Sequence, residues 1–160
     1  MRIGVISDTH GAVENTQRAV RMLESLEVEA VLHCGDIGTP DVIELLAAWP
    51  AYYVLGNCDY DHAPLAQAIA KNGQTFCGEF GEVELGGAKI AIAHGHDAYR
   101  LHAAIDSGAY ALVCTGHTHK QRLETVGETL VLNPGALYRA NPHTIAVVEL
   151  PSLEATHVAV

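Results

Sequence analysis

The chain has 160 residues, of which 49% are apolar and 18% are charged. This length predicts a single domain over residues 1–160, large enough to bury about two-thirds of the surface of the unfolded chain. The composition excludes a disordered protein. The net charge is -10 with only nine Lys and Arg residues. We therefore expect no nucleic-acid polymer as a partner, because such partners require a basic stripe that neutralises phosphates.

Apolar runs such as residues 109–114 are far shorter than the roughly 20 residues of a membrane span. Near the start of the chain, Asp8 interrupts the first apolar run before the core of a signal peptide could form. We therefore predict a cytoplasmic protein without a membrane partner. The four cysteines form no CxxC pair and no tight framework, which is typical of free thiols.

The first half of the chain alternates predicted strands and helices. Apolar runs predict strands at residues 2–7, 30–34 and 52–55. Helical spacing predicts helices at 15–26, with Asn15 as the N-cap, at 40–46, beginning with Pro40, and at 64–71. Such alternation is typical of βαβ units and a parallel sheet.

The second half is richer in strands. Strands are predicted at 75–85, 88–94, 110–114, 121–126, 129–132, 144–150 and 154–159. Gly86-Gly87, Gly127-Glu128 and Asn133-Pro134-Gly135 are predicted turns, and one helix is predicted at 98–106. Alternating units followed by antiparallel strands predict an α/β (α+β) protein in which two sheets pack together with helices outside.

Five short motifs of polar residues follow predicted strands. They are Asp8-Thr9-His10, Gly35-Asp36, Gly56-Asn57, His94-Gly95-His96 and Gly116-His117-Thr118-His119. Carboxylates, amide oxygens and imidazoles are the ligands that divalent metals prefer, and open α/β sheets build their sites at the carboxyl ends of strands. Each motif alone is a common turn, but their joint occurrence at strand ends predicts a metal site.

We predict two divalent metal ions with Asp36 as a shared ligand, because a carboxylate has two oxygens and can bridge two cations. In this hypothesis Asp8, His10 and His119 hold one ion. Asn57, His94 and His117 hold the other. Such pairs of metals hydrolyse phosphate esters through a bridging hydroxide that attacks phosphorus. Asn57 is also a candidate for donating its amide group to a phosphate oxygen, as a catalytic and substrate-binding residue.

The same motifs, together with Cys58-Asp59 after Asn57 and the Asn133-Pro134-Gly135 turn, resemble the signature of the calcineurin-like metallophosphoesterases, and within them a small bacterial and archaeal phosphodiesterase branch. The resemblance covers essentially the whole chain. It implies a four-layer αββα sandwich of two mixed β-sheets flanked by helices. It also implies a dinuclear site, with manganese as our first choice and nickel, iron or zinc as alternatives, and a homodimer or homotetramer.

The chain departs from this family pattern in two places. Most members have His after the Asn, as a group that protonates the leaving group, where this chain has Cys58. A thiol is a poorer hydrogen-bond donor than imidazolium, so Cys58 and His96 are both candidate catalytic residues. His96 and Arg139 are candidate substrate-binding residues. Ala136 stands where the branch often has Ser, so a hydroxyl is absent there.

The sequence thus predicts a metal-dependent phosphoesterase, more specifically a phosphodiesterase, that acts on a small phosphorylated substrate. Two alternatives remain open. One is a protein-interaction scaffold of the same fold, as in a retromer subunit that resembles this branch, and the other is a metal-dependent nuclease.

Overall fold

The computed structural model describes all 160 residues and contains eleven strands and four helices. In chain order these are β1 (Arg2–Ile6), α1 (Val13–Ser25), β2 (Ala30–His33), α2 (Pro40–Leu45), β3 (Ala51–Tyr53), α3 (His62–Lys71), β4 (Thr75–Phe76), β5 (Phe80–Leu85), β6 (Ala88–Ala93), α4 (Ala98–Asp106), β7 (Leu112–Cys114), β8 (Gln121–Val126), β9 (Thr129–Pro134), β10 (Thr144–Glu149) and β11 (Glu154–Ala159). None of the helices combines the length and apolar character needed to cross a membrane.

The strands form two mixed sheets. The first sheet has the order β11-β10-β1-β2-β3-β4, in which β1 to β4 run parallel and β10 and β11 pair antiparallel. The second has the order β5-β6-β7-β9-β8, with a parallel centre of β6, β7 and β9 and an antiparallel strand at each edge. The parallel centres follow from the βαβ alternation, and the antiparallel edges follow from the late run of strands.

Three apolar clusters hold the layers together. One lies between the two sheets, one lies between the first sheet and helices α1 to α3, and one lies between the second sheet and α4. Strand β1 is buried on both faces, because Ile3 and Val5 enter the layer between the sheets while Ile6 faces the helices. A Cβ atom at Gly4 would lie 2.4 Å from Leu23 Cδ2, so glycine permits the close packing of α1. The predicted four-layer αββα sandwich is confirmed.

The segment after α3 corrects the sequence analysis. Residues 75–85 were expected to form one strand, but they form β4 in the first sheet and β5 in the second. Gly78, with φ of +70°, lies between them. The chain thus passes from one sheet to the other inside a segment whose apolar pattern is continuous. Most other predicted strands and helices agree with the structure to within two residues at each end.

The predicted N-cap of α1 is wrong. The helix begins at Val13, Ala12 occupies the cap position, and no side chain caps the helix. The amide of Asn15 instead donates from Nδ2 to the carbonyl oxygen of Leu137 at 2.8 Å. This bond spans 122 positions of sequence, so local capping rules could not predict it. Similarly, β9 continues to Pro134, so the turn predicted at residues 133–135 begins within the strand.

Candidate metal centre

The five polar motifs meet at one edge of the sandwich. The carboxyl ends of β1, β2 and β3 in the first sheet and of β6 and β7 in the second point to this edge. Asp8, Asp36 and His94 lie deepest and are buried, with relative exposures of 0%, 3% and 1%. We call these three residues the floor of the site. Because they follow strands of both sheets, the site spans the sandwich.

Each carboxylate of the floor has one oxygen held by a backbone amide. Asp8 Oδ2 accepts from the amide of His117 at 3.0 Å, and Asp36 Oδ1 accepts from the amide of Cys58 at 2.9 Å. The remaining oxygens, Asp8 Oδ1 and Asp36 Oδ2, face the imidazoles of the site. The backbone therefore orients both carboxylates and leaves one oxygen of each free for a further ligand.

The ring of His94 is oriented in the same manner. Its Nδ1 donates to the carbonyl oxygen of Cys34 at 2.8 Å, so in the neutral ring the lone pair is on Nε2. Nε2 lies 3.3 Å from Asp36 Oδ2 and 4.0 Å from Asp8 Oδ1. A neutral imidazole with its free nitrogen directed at two carboxylates is the form that binds a metal ion.

Two further imidazoles approach the floor from the side of Tyr138. His10 Nε2 lies 3.3 Å from Asp36 Oδ2, and His119 Nε2 lies 3.2 Å from Asp8 Oδ1. Ligand atoms of Asp8, His10 and His119 lie within 4.8 Å of one another, as do those of Asp8, Asp36 and His94. Asp36 Oδ2 is thus equally distant from two imidazole nitrogens that belong to the two predicted sets of ligands.

Three buried atoms of this cluster make no hydrogen bond. In the whole chain four buried side-chain nitrogen or oxygen atoms lack a partner, and three of them are Asp8 Oδ1, His10 Nε2 and His94 Nε2. Buried polar atoms are rarely left unpaired, because their desolvation costs about 1–3 kcal/mol each. Lone pairs of carboxylates and imidazoles that converge without donors fit divalent cations, so the residues present suit the metal dependence that the sequence predicts.

The pKa values reflect this crowding of charge. Burial raises the pKa of Asp8 above its ordinary value. Burial acts in the same direction on Asp36, but the neighbouring His94 ring and the hydrogen bond from the Cys58 amide hold the pKa of Asp36 well below its ordinary range. Burial would lower the pKa of His94, yet the two carboxylates raise it. The floor therefore carries negative charge that only the neighbouring imidazoles offset within the protein.

Asn57, Cys58, His96 and His117 surround the floor nearer to solvent, and we call these four residues the rim. Asn57, His96 and His117 are exposed, while Cys58 is half-buried. The ring centroid of His117 lies 5.1 Å from that of His94 and 6.4 Å from that of His96. His117 lies outside the groups of ligand atoms within 4.8 Å of one another, whereas Cys58 forms such a group with His10 and Asp36.

The rim residues also differ from the floor in their hydrogen bonds. The amide of Asn57 donates only to Cys58 Sγ, at 3.5 Å. Partial burial, and then the Asp36 carboxylate, raise the pKa of the Cys58 thiol, so this group stays protonated at neutral pH. Burial and the neighbouring His94 lower the pKa of His117. Arg139 lies beyond the rim, with its guanidinium carbon 5.1 Å from the ring of Tyr138.

The backbone is left-handed at most of the predicted ligands. Eight residues other than glycine have positive φ in the chain, and five of them are predicted ligands. These five are Asp8, His10, Asp36, His117 and His119, with φ between +44° and +67°. Such a conformation costs roughly 1 kcal/mol or more for a residue with a side chain, and clusters of it mark functional sites.

Two glycines allow the motifs to approach each other. A Cβ at Gly56 would lie 2.0 Å from Asp36 Oδ1, and one at Gly116 would lie 1.9 Å from Ser7 Oγ and 2.8 Å from Asp8 Oδ2. No side chain fits in either place. These glycines explain why the motifs contain Gly-Asn and Gly-His rather than a bulkier first residue.

Residues outside the predicted set of ligands hold the motifs in place. Buried Asp59 accepts hydrogen bonds from the amides of Ile37, Gly38 and Gly56. It thereby ties the loop after Asp36 to the loop before Asn57. Asp59 directly follows Cys58 after the third motif and is visible in the sequence, but the three amides that donate to it lie in two segments of the chain.

Two more buried polar residues, His33 and Asn133, contact the motifs. His33 accepts from the amide of Gly35 at Nδ1 and lies 3.0 Å from Thr9 Oγ1 through Nε2. Burial lowers its pKa to about 3, so the ring is neutral. Asn133 donates from Nδ2 to the carbonyl oxygen of Gly116 at 2.7 Å. The motifs that carry the candidate ligands are thus held by residues that lie outside these motifs.

A family model for the calcineurin-like phosphoesterase superfamily domain matches residues 1–152. The chain belongs to the calcineurin-like phosphoesterases. It is 34% identical to a phosphodiesterase of Methanocaldococcus jannaschii, over 96% of both chains. It is 31% identical to a probable metallophosphoesterase of Bacillus subtilis, over 86% of this chain and 75% of the relative. The resemblance seen in the sequence is therefore confirmed.

Solved structures place this calcineurin-like phosphoesterase in the small archaeal and bacterial branch. An archaeal phosphodiesterase matches with a TM-score of 0.92 at 31% identity, over the whole of both chains. A variant of Vps29 from Entamoeba histolytica, with a TM-score of 0.70 and 20% identity, shares the fold. The chain is accordingly a hydrolase of a metal-dependent family, with candidate carboxylate and imidazole ligands gathered at one site.

Proposed function

We propose that this calcineurin-like phosphoesterase is a dinuclear phosphodiesterase that hydrolyses a small phosphate ester. The observation that carries the proposal is the position of Asp36 Oδ2, which lies 3.3 Å from both His10 Nε2 and His94 Nε2. Both nitrogens are buried and unpaired. A carboxylate oxygen at equal distance from imidazoles of both predicted ligand sets supports Asp36 as a ligand shared by two ions. The similarity to the phosphodiesterase of M. jannaschii supports the choice of ester.

In this proposal seven residues hold the ions. Asp8, His10 and His119 serve one site, and Asn57, His94 and His117 serve the other, with Asp36 shared. When bound, the two ions activate water at neutral pH and neutralise the charge of the phosphoryl group. Manganese is our first choice, with nickel, iron or zinc as alternatives, because mixed oxygen and imidazole ligands suit all four.

The chain's own residues orient the substrate. The exposed amide of Asn57 is free to donate to a phosphate oxygen, since its only bond within the protein is the long contact with Cys58 Sγ. His96 is exposed, and its ring centroid lies 6.4 Å from that of His117, so its ring can donate to the same phosphate or to the leaving oxygen. Arg139 lies above Tyr138, which packs 5.0 Å from His10. It supplies a further positive charge for the phosphate.

We expect protonation of the leaving group to be inefficient in this enzyme. Cys58 occupies the place where most of the family has His, and its thiol is protonated but donates weakly. We therefore expect esters of acidic alcohols, such as aryl diesters, to be preferred, because their leaving groups depart without a proton. Turnover of simple alkyl diesters at the same rate would contradict this expectation.

The test begins with metal-stripped protein. Manganese, nickel, zinc and magnesium are added back in turn, and hydrolysis of an aryl phosphodiester is compared with that of an aryl phosphomonoester. We expect metal-dependent turnover with a preference for the diester, and a metal content of two ions per chain by elemental analysis. Folded protein that binds two ions and hydrolyses neither ester would favour the interaction scaffold.

A further inference from the structure

Two separate cavities open beside the candidate metal centre. The smaller, of about 40 Å³, adjoins His94 and His96. The larger, of about 290 Å³, adjoins His119 and lies between the start of β8 and the loop before β10. A diester whose phosphate lies at the metal centre has two arms. The larger cavity is the one with room for more than a water-sized group.

The charge of the two cavities differs. The smaller one is lined by Glu79, Asp97 and Arg100, and the arginine is 3.5 Å from Glu79 and 3.6 Å from Asp97. Its positive charge is therefore neutralised. The larger cavity contains no carboxylate. It is lined by His119, Lys120, Gln121, Ala140, Asn141, Pro142 and Thr144.

Free positive charge is scarce in this protein and concentrates near the larger cavity. Of nine Lys and Arg residues, six form ion pairs with carboxylates. The other three are Arg21, Lys120 and Arg139. Lys120 lines the larger cavity, and Arg139 directly precedes Ala140 in its wall. A chain with a net charge of -10 thus keeps two of its three unpaired cations beside His119.

The polar side chains of the larger cavity are also free to bind a ligand. No hydrogen bond within the protein uses the side chains of Lys120, Gln121 or Asn141. The backbone amide of Lys120 donates to Thr118 Oγ1, which fixes the start of the segment. An ammonium group and two amides around an acid-free cavity are the donors that a carboxylate or phosphate group accepts.

We propose that this cavity binds a second anionic group on the substrate, so that the preferred ester is a phosphodiester whose second arm ends in a carboxylate or a phosphate. This inference rests on the proposed function for the place of the scissile phosphate. Lys120 contacts the anionic group, and Gln121 and Asn141 complete its hydrogen bonds. Glu79 and Asp97 in the lining of the smaller cavity exclude that arm from it.

The test uses three 4-nitrophenyl diesters that share one leaving group. Their second arms are propyl, 2-carboxyethyl and 2-phosphonooxyethyl, which are neutral, carboxylate and phosphate. The kcat/KM ratio of each anionic ester to the propyl ester is measured in the wild type, Lys120→Gln, Lys120→Glu and Arg21→Gln. Arg21 is the matched control, because it is an exposed, unpaired cation in α1.

We expect at least one anionic ester to exceed the propyl ester in the wild type, and the ester that does so identifies the group. Lys120→Gln lowers that ratio about tenfold through KM, as loss of one charge-assisted hydrogen bond implies. Lys120→Glu lowers it further, and Arg21→Gln leaves it unchanged. Equal ratios in the wild type and Lys120→Gln, or an equal loss in Arg21→Gln, overturn the proposal.

A binding measurement separates this inference from the proposed function. Calorimetry compares propyl phosphate with 2-carboxyethyl phosphate and 2-phosphonooxyethyl phosphate on metal-loaded protein and on Lys120→Gln. Hydrolysis of all three esters without an anionic preference overturns the second site and leaves the phosphodiesterase standing. If no ester is hydrolysed, tighter binding of an anionic compound that depends on Lys120 still supports the cavity, and equal binding overturns it.

Discussion

The floor and the rim of the site differ in how firmly the protein holds them. The floor residues Asp8, Asp36 and His94 are buried, and each has one side-chain atom fixed by a backbone group. The exposed rim residues Asn57, His96 and His117 have no comparable side-chain bond within the protein. The difference indicates that the geometry for the ions is formed in advance, while the groups that meet the substrate remain adjustable.

The largest expected effect comes from the floor. Asp36→Asn removes the shared charge while keeping the shape of the side chain. We expect turnover of an aryl diester to fall by more than about 10²-fold, since even residues that only support a metal ligand contribute about 10–100-fold. Metal content should fall in the same variant. Asp41→Asn, an exposed carboxylate in α2, is the control and should retain activity.

Metal-induced stabilisation sharpens the comparison between floor and rim. An ion at a hundred times its dissociation constant should raise the Tm of the stripped protein by about 5–10 °C. When asparagine replaces histidine, its side-chain amide keeps a donor near the position of Nδ1. It has no atom in the position of Nε2, which faces the ion in the case of His94. We therefore expect His94→Asn to lose more of this rise than His117→Asn, as followed by thermal melts with and without manganese. An equal loss of the Tm rise in both variants would mean that floor and rim residues contribute equally to metal binding.

The hydrogen bonds that Asp59 accepts should contribute to the free energy of unfolding even in metal-free protein. Asp59→Asn replaces one acceptor oxygen with an NH₂ group that faces backbone amides. We expect the free energy of unfolding to fall by about 2–4 kcal/mol in urea titrations. Asp61→Asn changes the same charge two residues away at an exposed position and should stay near the wild type. Similar free energies of unfolding for the two variants would contradict a structural role for Asp59.

A smaller effect should appear in the pH dependence of stability. His33 is neutral in the folded protein, with a pKa of about 3 against an ordinary value of 6.5. Between these values only the unfolded chain binds the proton, so stability falls as pH falls from 6.5 towards 3. The slope for metal-free wild type should exceed that of His33→Asn by up to about 1.4 kcal/mol per pH unit. Above pH 7 the two slopes should coincide.

Much of the fold was predictable because each strand or helix has a local signal. Apolar runs and helical spacing placed most boundaries within two residues, and the five motifs at strand ends pointed to one edge. The division of residues 75–85 between two sheets was not predictable, because β4 and β5 share one apolar pattern and differ only in their partners. The same holds for Asn15, whose partner Leu137 is far away in sequence.

The sequence predicted the residue types of the candidate site but not which of its side chains are buried. The sequence places Asp8 and Asn57 in equivalent positions after strands, yet one is buried and the other is exposed. That difference arises from how neighbouring loops cover each strand end. Asp59 shows the same limit, because its role depends on amides of Ile37 and Gly38 that only the fold brings near.

The left-handed backbone at Asp8, His10, Asp36, His117 and His119 has an evolutionary consequence. At each of these positions glycine would relieve the backbone, so selection for folding alone favours its appearance. In this chain all five positions nevertheless carry a side chain. A lineage under pressure only for stability should drift towards glycine at these five positions. In such a family member, glycine at these positions would indicate that the activity was lost while the fold was still intact.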